Sequence, residues 1–214
     1  METIGRFLRN PGSHFMLFGP RGTGKSTWLR QAFPRQAVTI DLMDAETFRA
    51  YLSRPERLRE AVDANPQARH VIVDEVQKVP ALLDVVHQMI EAKPRRLPQF
   101  ILTGSSARKL RRSGVNLLAG RLLMRTLHPF MAAELGAAFR LEPALRMGML
   151  PLVLGAANSE ETLRAYAALY LREEVQAEGL VRNIGSFARF LEAVSFSHGS
   201  ILNATAVARE CQVG

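Results

Sequence analysis

The chain has 214 residues, 47% of them hydrophobic, and a formal net charge of +8. That length accommodates one full α/β domain plus a small appendage, and no run approaches an uninterrupted apolar membrane span. Cys211 is the sole cysteine, which excludes an internal disulfide and fits a reducing compartment; residues 1–6 lead into no apolar signal core, so a cytoplasmic protein is expected, with no membrane partner. His14, His70, His87, His128 and His198 are scattered, without the spacing of a zinc site.

In chain order, His14-Phe15-Met16-Leu17-Phe18 is apolar enough for a buried strand, and residues 27–33 carry the apolar spacing of a helix. Between them stands Gly19-Pro20-Arg21-Gly22-Thr23-Gly24-Lys25-Ser26, followed by Thr27, an unbroken G-x-x-x-x-G-K-[ST] loop. A polyphosphate needs backbone N–H donors at a helix start, and glycines let the chain approach it without a Cβ in the way. Lys25 is placed to reach the β- and γ-phosphates, and the Ser26 hydroxyl to ligate magnesium. The plain alternative is a glycine-rich turn between a strand and a helix, but all eight positions and both flanks agree with a phosphate loop.

Residues 37–42 read as a second strand, followed by helices around 44–53 and 55–64 that are broken at Pro55. His70-Val71-Ile72-Val73-Asp74-Glu75 is a β-branched run ending in two carboxylates. Alone it could be a strand turning into solvent. Paired with the loop it reads as a Walker B strand, with Asp74 holding the Mg²⁺ shell and Glu75 polarising a water for in-line attack. Pro80 opens an amphipathic helix through Ile90. Gln99–Ser106 is a further buried strand, ending in small hydroxyl residues. At the carboxyl end of a parallel strand, Thr103, Ser105 or Ser106 is placed to sense the γ-phosphate or the attacking water; a Gly-Ser turn capping the next helix is an equal reading.

Residues 121–127 read as the last sheet strand, and the β signal ends after Met131. Stretches 159–179, 184–197 and 203–211 have helical patterning. The expected organisation is an α/β core over residues 1–135 and a helical module over 136–214. Alternating strands and helices in the core predict an α/β fold, a parallel sheet flanked by helices. The positive charge is carried by arginine, since lysine occurs only at 25, 78, 93 and 109. The clusters at 95–96 and 108–112 suit nucleic acid or a solvated surface equally, and no aromatic residues interleave with them to make a stacking platform.

The chain resembles the bacterial AAA-type P-loop ATPases of the AAA_14/DUF4143 family. The resemblance is carried by Gly19–Ser26, Val71–Glu75, Leu102–Arg108, Leu118-Ala119-Gly120-Arg121, His128-Pro129-Phe130 leading to Glu134-Leu135, Tyr170–Val175 and Phe187–Val194. It implies a P-loop NTPase core with an additional strand between the Walker A and Walker B strands, and magnesium-ATP as ligand. It also implies nucleotide contacts from Gly19 through Thr27, metal ligation by Ser26 and Asp74, and hydrolysis by Glu75 with Lys25. Ser105 or Ser106 falls in the sensor position. Arg121 becomes a candidate γ-phosphate or trans-acting arginine, against the alternative of a surface pair with a carboxylate.

Residues 203–214 resemble the first helix and turn of a helix-turn-helix with Asn203 as N-cap, and the chain ends before a recognition helix. Family members continue into a second helix and a nuclease-like region, so a truncated C-terminus is expected, with DNA contacted through the missing part. Two function classes follow. One is Mg²⁺-dependent ATP hydrolysis driving a conformational switch, with a homo-oligomer as a candidate assembly. The other is a nucleotide-binding regulatory module for DNA or a protein, with negligible turnover. A small-molecule kinase is a third, weaker reading, for want of an arginine-rich lid beside an acceptor pocket.

Overall fold

In the computed structural model, the described residues are 4–34, 37–92, 96–105, 110, 120–170, 184–196 and 203–211. They form two compact units, residues 1–157 and 158–214. In the first unit the strands are β1 (Phe15–Phe18), β2 (Ala37–Asp41), β3 (His70–Asp74), β4 (Gln99–Gly104) and β5 (Leu123–Thr126). They make one sheet in the order β2-β3-β4-β1-β5, and every neighbouring pair is parallel. The strand inserted between β1 and β3 is β4, as the family resemblance implied. Parallel pairing demands crossovers, which here are made by helices α1 (Lys25–Ala32), α2 (Ala45–Ser53), α3 (Arg57–Asp63) and α4 (Leu82–Glu91).

The central strands carry unbroken apolar runs, Phe15–Phe18, Val71–Val73 and Phe100–Leu102, because both faces of the sheet are covered. The pleat divides them between two cores. Phe15 and Leu17 of β1, Ile72 of β3 and Ile101 of β4 pack with Trp28 and Leu29 of α1. Met16 and Phe18, Val71 and Val73, and Phe100 and Leu102 face the other way, onto Leu58 of α3 and Leu82, Leu83 and Val86 of α4. Local signals set the helix ends: the Asp44 side chain accepts the Thr47 N–H at 2.8 Å and starts α2.

The expected boundary near residue 135 is not where the first unit ends. Helices α5 (Ala132–Leu135), α6 (Leu141–Met147) and α7 (Pro151–Leu154) belong to it. Phe130 N–H donates to Met149 O at 2.8 Å, Leu152 N–H donates to Gly22 O at 3.2 Å, and Leu150 and Val153 are buried. The β signal stops because the sheet is complete, while helical segments go on closing the same unit.

The second unit contains α8 (Ser159–Leu169), α9 (Ile184–Ser195) and α10 (Ala204–Glu210). Asn158 caps α8 by accepting Glu161 N–H at 3.2 Å, and Asn203 caps α10 by accepting Ala206 N–H at 3.0 Å, as its sequence position suggested. Ala193, Val207 and Cys211 form a small buried cluster between α9 and α10. Among the described residues no helix is long and apolar enough to cross a membrane.

Candidate nucleotide site

The carboxyl ends of β1, β3 and β4 lie side by side, with Phe18 level with Gly104 and Val73 level with Leu102. The loop after β1 therefore faces the carboxylates after β3 and the hydroxyls at the end of β4, where ligands of open α/β sheets sit. Gly24 holds φ 88°, ψ 25° at the start of α1, and the first helical bond runs from Trp28 N–H to Gly24 O at 2.8 Å. A helix start directs its first backbone N–H groups outward along the axis, the arrangement that binds an anion, and α1 starts at the loop. Gly19 is fixed by a close approach, since a Cβ there would lie 2.2 Å from Leu127 O. Thr23 ties the loop together by donating through Oγ1 to Pro20 O at 2.8 Å.

Lys25 is buried, 6% exposed, and its ammonium donates to Gly19 O at 2.6 Å and Pro20 O at 3.2 Å. A buried cation needs such acceptors, and phosphate oxygens arriving in the loop would be stronger ones. The Ser26 hydroxyl donates to Asp74 Oδ2 at 2.7 Å. Asp74 Oδ1 accepts from the fully buried Thr103 hydroxyl, whose oxygen in turn accepts the Glu75 N–H at 3.0 Å. Glu75 itself sits in the left-handed region at φ 59°, ψ 46°, and it is the sole non-glycine at positive φ among the described residues. Such a conformation in a non-glycine residue is held by its surroundings and is concentrated at functional sites.

The donor set fits magnesium. Neighbouring ligands of an octahedral Mg²⁺ stand about 3 Å apart, close to the separation that Ser26 Oγ and Asp74 Oδ2 already have. Both are hard oxygen donors, and phosphate oxygens and waters would complete the shell. A cavity of about 690 Å³ adjoins them, polar at Ser26, Asp41, Asp74 and Glu75 and apolar at Phe33 and Ile72.

Of the residues expected in the site, Lys25, Ser26, Asp74, Glu75 and Ser105 stand at the same end of the sheet. Arg121 does not. It lies at the amino end of β5, with Nε 2.6 Å from Glu91 Oε1, and both side chains are about half exposed. Within one chain this is a surface ion pair and no γ-phosphate ligand, because the parallel strands put the phosphate loop at their other end. Ser106, the basic residues at 108, 109, 111 and 112, residues 118–119, 171–175 and 212, and Arg95 lie outside the described residues.

One residue escaped sequence reasoning. The Gln77 side chain, on the short 3₁₀ turn Val76–Lys78, donates through Nε2 to Glu75 Oε2 and to Ser105 Oγ, the latter at 3.2 Å. Its position two residues after the Asp-Glu pair was the available signal, but only the turn reveals that its amide bends back.

The model of the AAA domain family matches residues 12–136, more than half of the chain. The chain belongs to this AAA domain family, and its core is a P-loop NTPase fold. No curated protein matches it at a significant level. Among solved structures, the ORC1 protein of Aeropyrum pernix in complex with DNA is similar at 13% identity and a TM-score of 0.46, over 94% of this chain and 71% of that one. The AMPPCP-bound DnaA of Aquifex aeolicus is similar at 13% identity and 0.44, over 95% and 73%. Domain III of the Thermotoga maritima replication initiation protein DnaA gives 11% and 0.39, over 95% and 85%. These likenesses are distant, so the functional reading rests on the family and on the site.

Proposed function

We propose that this AAA-family chain binds Mg²⁺-ATP and hydrolyses it, and that turnover drives a conformational switch. The observation that carries the proposal is the Ser26–Asp74 hydrogen bond at 2.7 Å, which joins the phosphate loop to the end of β3 in the arrangement a shared magnesium needs. The loop N–H groups and Lys25 would bind the β- and γ-phosphates. Ser26 and Asp74 would hold the metal, which when bound supplies charge neutralisation between the phosphates. Glu75 would accept a proton from water as the water oxygen bonds to the γ-phosphorus. The bond to the bridging oxygen breaks at the same time, and ADP leaves with its electron pair. Ser105 stands where a γ-phosphate sensor would. The positive charge, carried by arginine, supports an anionic output partner such as DNA. A trans-acting role for Arg121 would require a homo-oligomer.

The test pairs two variants. Lys25→Ala should lose nearly all ATP affinity by calorimetry while the fold persists. Glu75→Gln should keep ATP affinity and lower kcat by about 10²-fold or more, as expected for loss of a general base. If Glu75→Gln binds ATP and turns it over as fast as the wild type, the hydrolytic reading gives way to the regulatory binding module. Unchanged affinity in Lys25→Ala would remove the phosphate-loop assignment altogether.

A further inference from the structure

The Glu75 side chain is gripped by a residue outside both Walker motifs. Its carboxylate can only accept hydrogen bonds, so the Gln77 group facing it is the amide nitrogen, and the orientation of the amide is settled by chemistry. The same nitrogen reaches Ser105 Oγ at 3.2 Å, so one side chain spans the end of β3 and the end of β4. The other end of the amide is equally constrained. Gln77 Oε1 is buried without a hydrogen-bond partner, and a Cβ on Gly104 would come within 2.9 Å of it. The amide is therefore seated on the bare Cα of Gly104. A glutamine serving only as a polar surface residue would turn its carbonyl to water, because an unpaired buried acceptor is unfavourable. The Glu75 backbone is fixed as well, by its αL conformation and the Thr103 hydroxyl.

We propose that Gln77 is the positioning residue for Glu75: its amide holds the Glu75 carboxylate in the direction of the attacking water and ties that direction to Ser105 at the end of β4. The proposal rests on the hydrolytic reading of the site. Gln77 touches neither phosphate nor metal. It acts by removing the rotational freedom of Glu75. Through Ser105, a shift of the β4 end on contact with a γ-phosphate would be felt by Glu75 without any movement of the phosphate loop.

The test is steady-state ATP turnover by the full chain, as kcat and KM, for the wild type, Glu75→Gln, Gln77→Leu and Gly104→Ala. Leucine nearly matches glutamine in size and lacks the donor. Gly104→Ala leaves Gln77 in place and pushes its amide out of its seat. Both variants should lower kcat about tenfold or more, in line with the loss of a positioned group, with KM for ATP within about twofold of wild type. A merely structural role would disturb the phosphate loop as well and raise KM together with the fall in kcat, and this result would overturn the proposal, as would a kcat in Gln77→Leu within twofold of wild type. If wild-type turnover does not exceed that of Glu75→Gln, the hydrolytic reading falls and this inference with it. If it does exceed it while Gln77→Leu is unaffected, this inference falls alone.

Discussion

Thr103→Val puts the brace beneath the two carboxylates to a quantitative test. Thr103 is fully buried, and its hydroxyl makes two bonds at once, donating to Asp74 Oδ1 and accepting from Glu75 N–H. Valine keeps the β-branched shape and deletes only the oxygen. Loss of the charge-assisted bond to Asp74 costs about 1.5–3 kcal/mol, and an orphaned backbone N–H about 1–3 kcal/mol. The added methyl returns less than about 1 kcal/mol. A net destabilisation of about 1.5–5 kcal/mol follows, a large share of the roughly 5–15 kcal/mol that holds a typical domain together. Urea unfolding followed through Trp28 reads the first unit, since this sole tryptophan is 6% exposed and packs edge-on against Phe15 and Phe33. With a urea slope of about 2 kcal/mol per M, the midpoint should fall by about 0.75–2.5 M. Thr103→Ser keeps both bonds and serves as the control for lost volume. ATP turnover should fall in Thr103→Val as well, because Asp74 and Glu75 lose their common support. If the valine variant unfolds within about 0.3 M of the serine variant, the hydroxyl does not carry the load assigned to it here.

Two further outcomes follow from the same geometry. His14 Nδ1 accepts the Phe100 N–H at 3.0 Å, which only the neutral ring can do, and burial lowers the pKa of His14 below its ordinary 6.5; burial first and Arg69 second do the same for His70. The unfolded chain then binds more protons between the folded values and 6.5, so stability is complete above pH 6.5 and is lost as pH falls through the folded values. His14→Asn, which offers an amide oxygen near the place of Nδ1, should reduce that acid slope and leave the contribution of His70; an unchanged slope in urea titrations from pH 7.5 to 5 would refute the assignment. Arg121→Ala should cost less than about 0.5 kcal/mol, as expected for a half-exposed pair with Glu91. It should also leave turnover unchanged at low protein concentration, and a loss of turnover that grows with protein concentration would point to the trans-acting role.

What the sequence could determine by itself is what contiguous residues do. The phosphate loop is readable because its donors, glycines, lysine and serine are neighbours along one turn and a helix start, and the turn works locally. The strands from Phe15, His70 and Gln99 are readable because a sheet covered on both faces demands unbroken apolar runs. Asn203 is readable as a cap because a cap needs partners only two or three residues away. The tertiary structure alone decided the rest. Ser26, Asp74 and Thr103 are far apart in the chain, and they meet because β4 is inserted between β1 and β3, an order fixed by packing across helical crossovers. The same parallel register carried Arg121 to the far end of β5, although its motif had suggested a place at the phosphates. Gln77 turned back onto Glu75 because of one 3₁₀ turn and one glycine across the sheet. Residues 141–154 joined the first unit because the phosphate loop offers Gly22 O to Leu152, a contact that helical periodicity cannot encode. Local hydrogen bonding and hydrophobic pattern act over a few residues, whereas register and strand order come from the whole core closing at once.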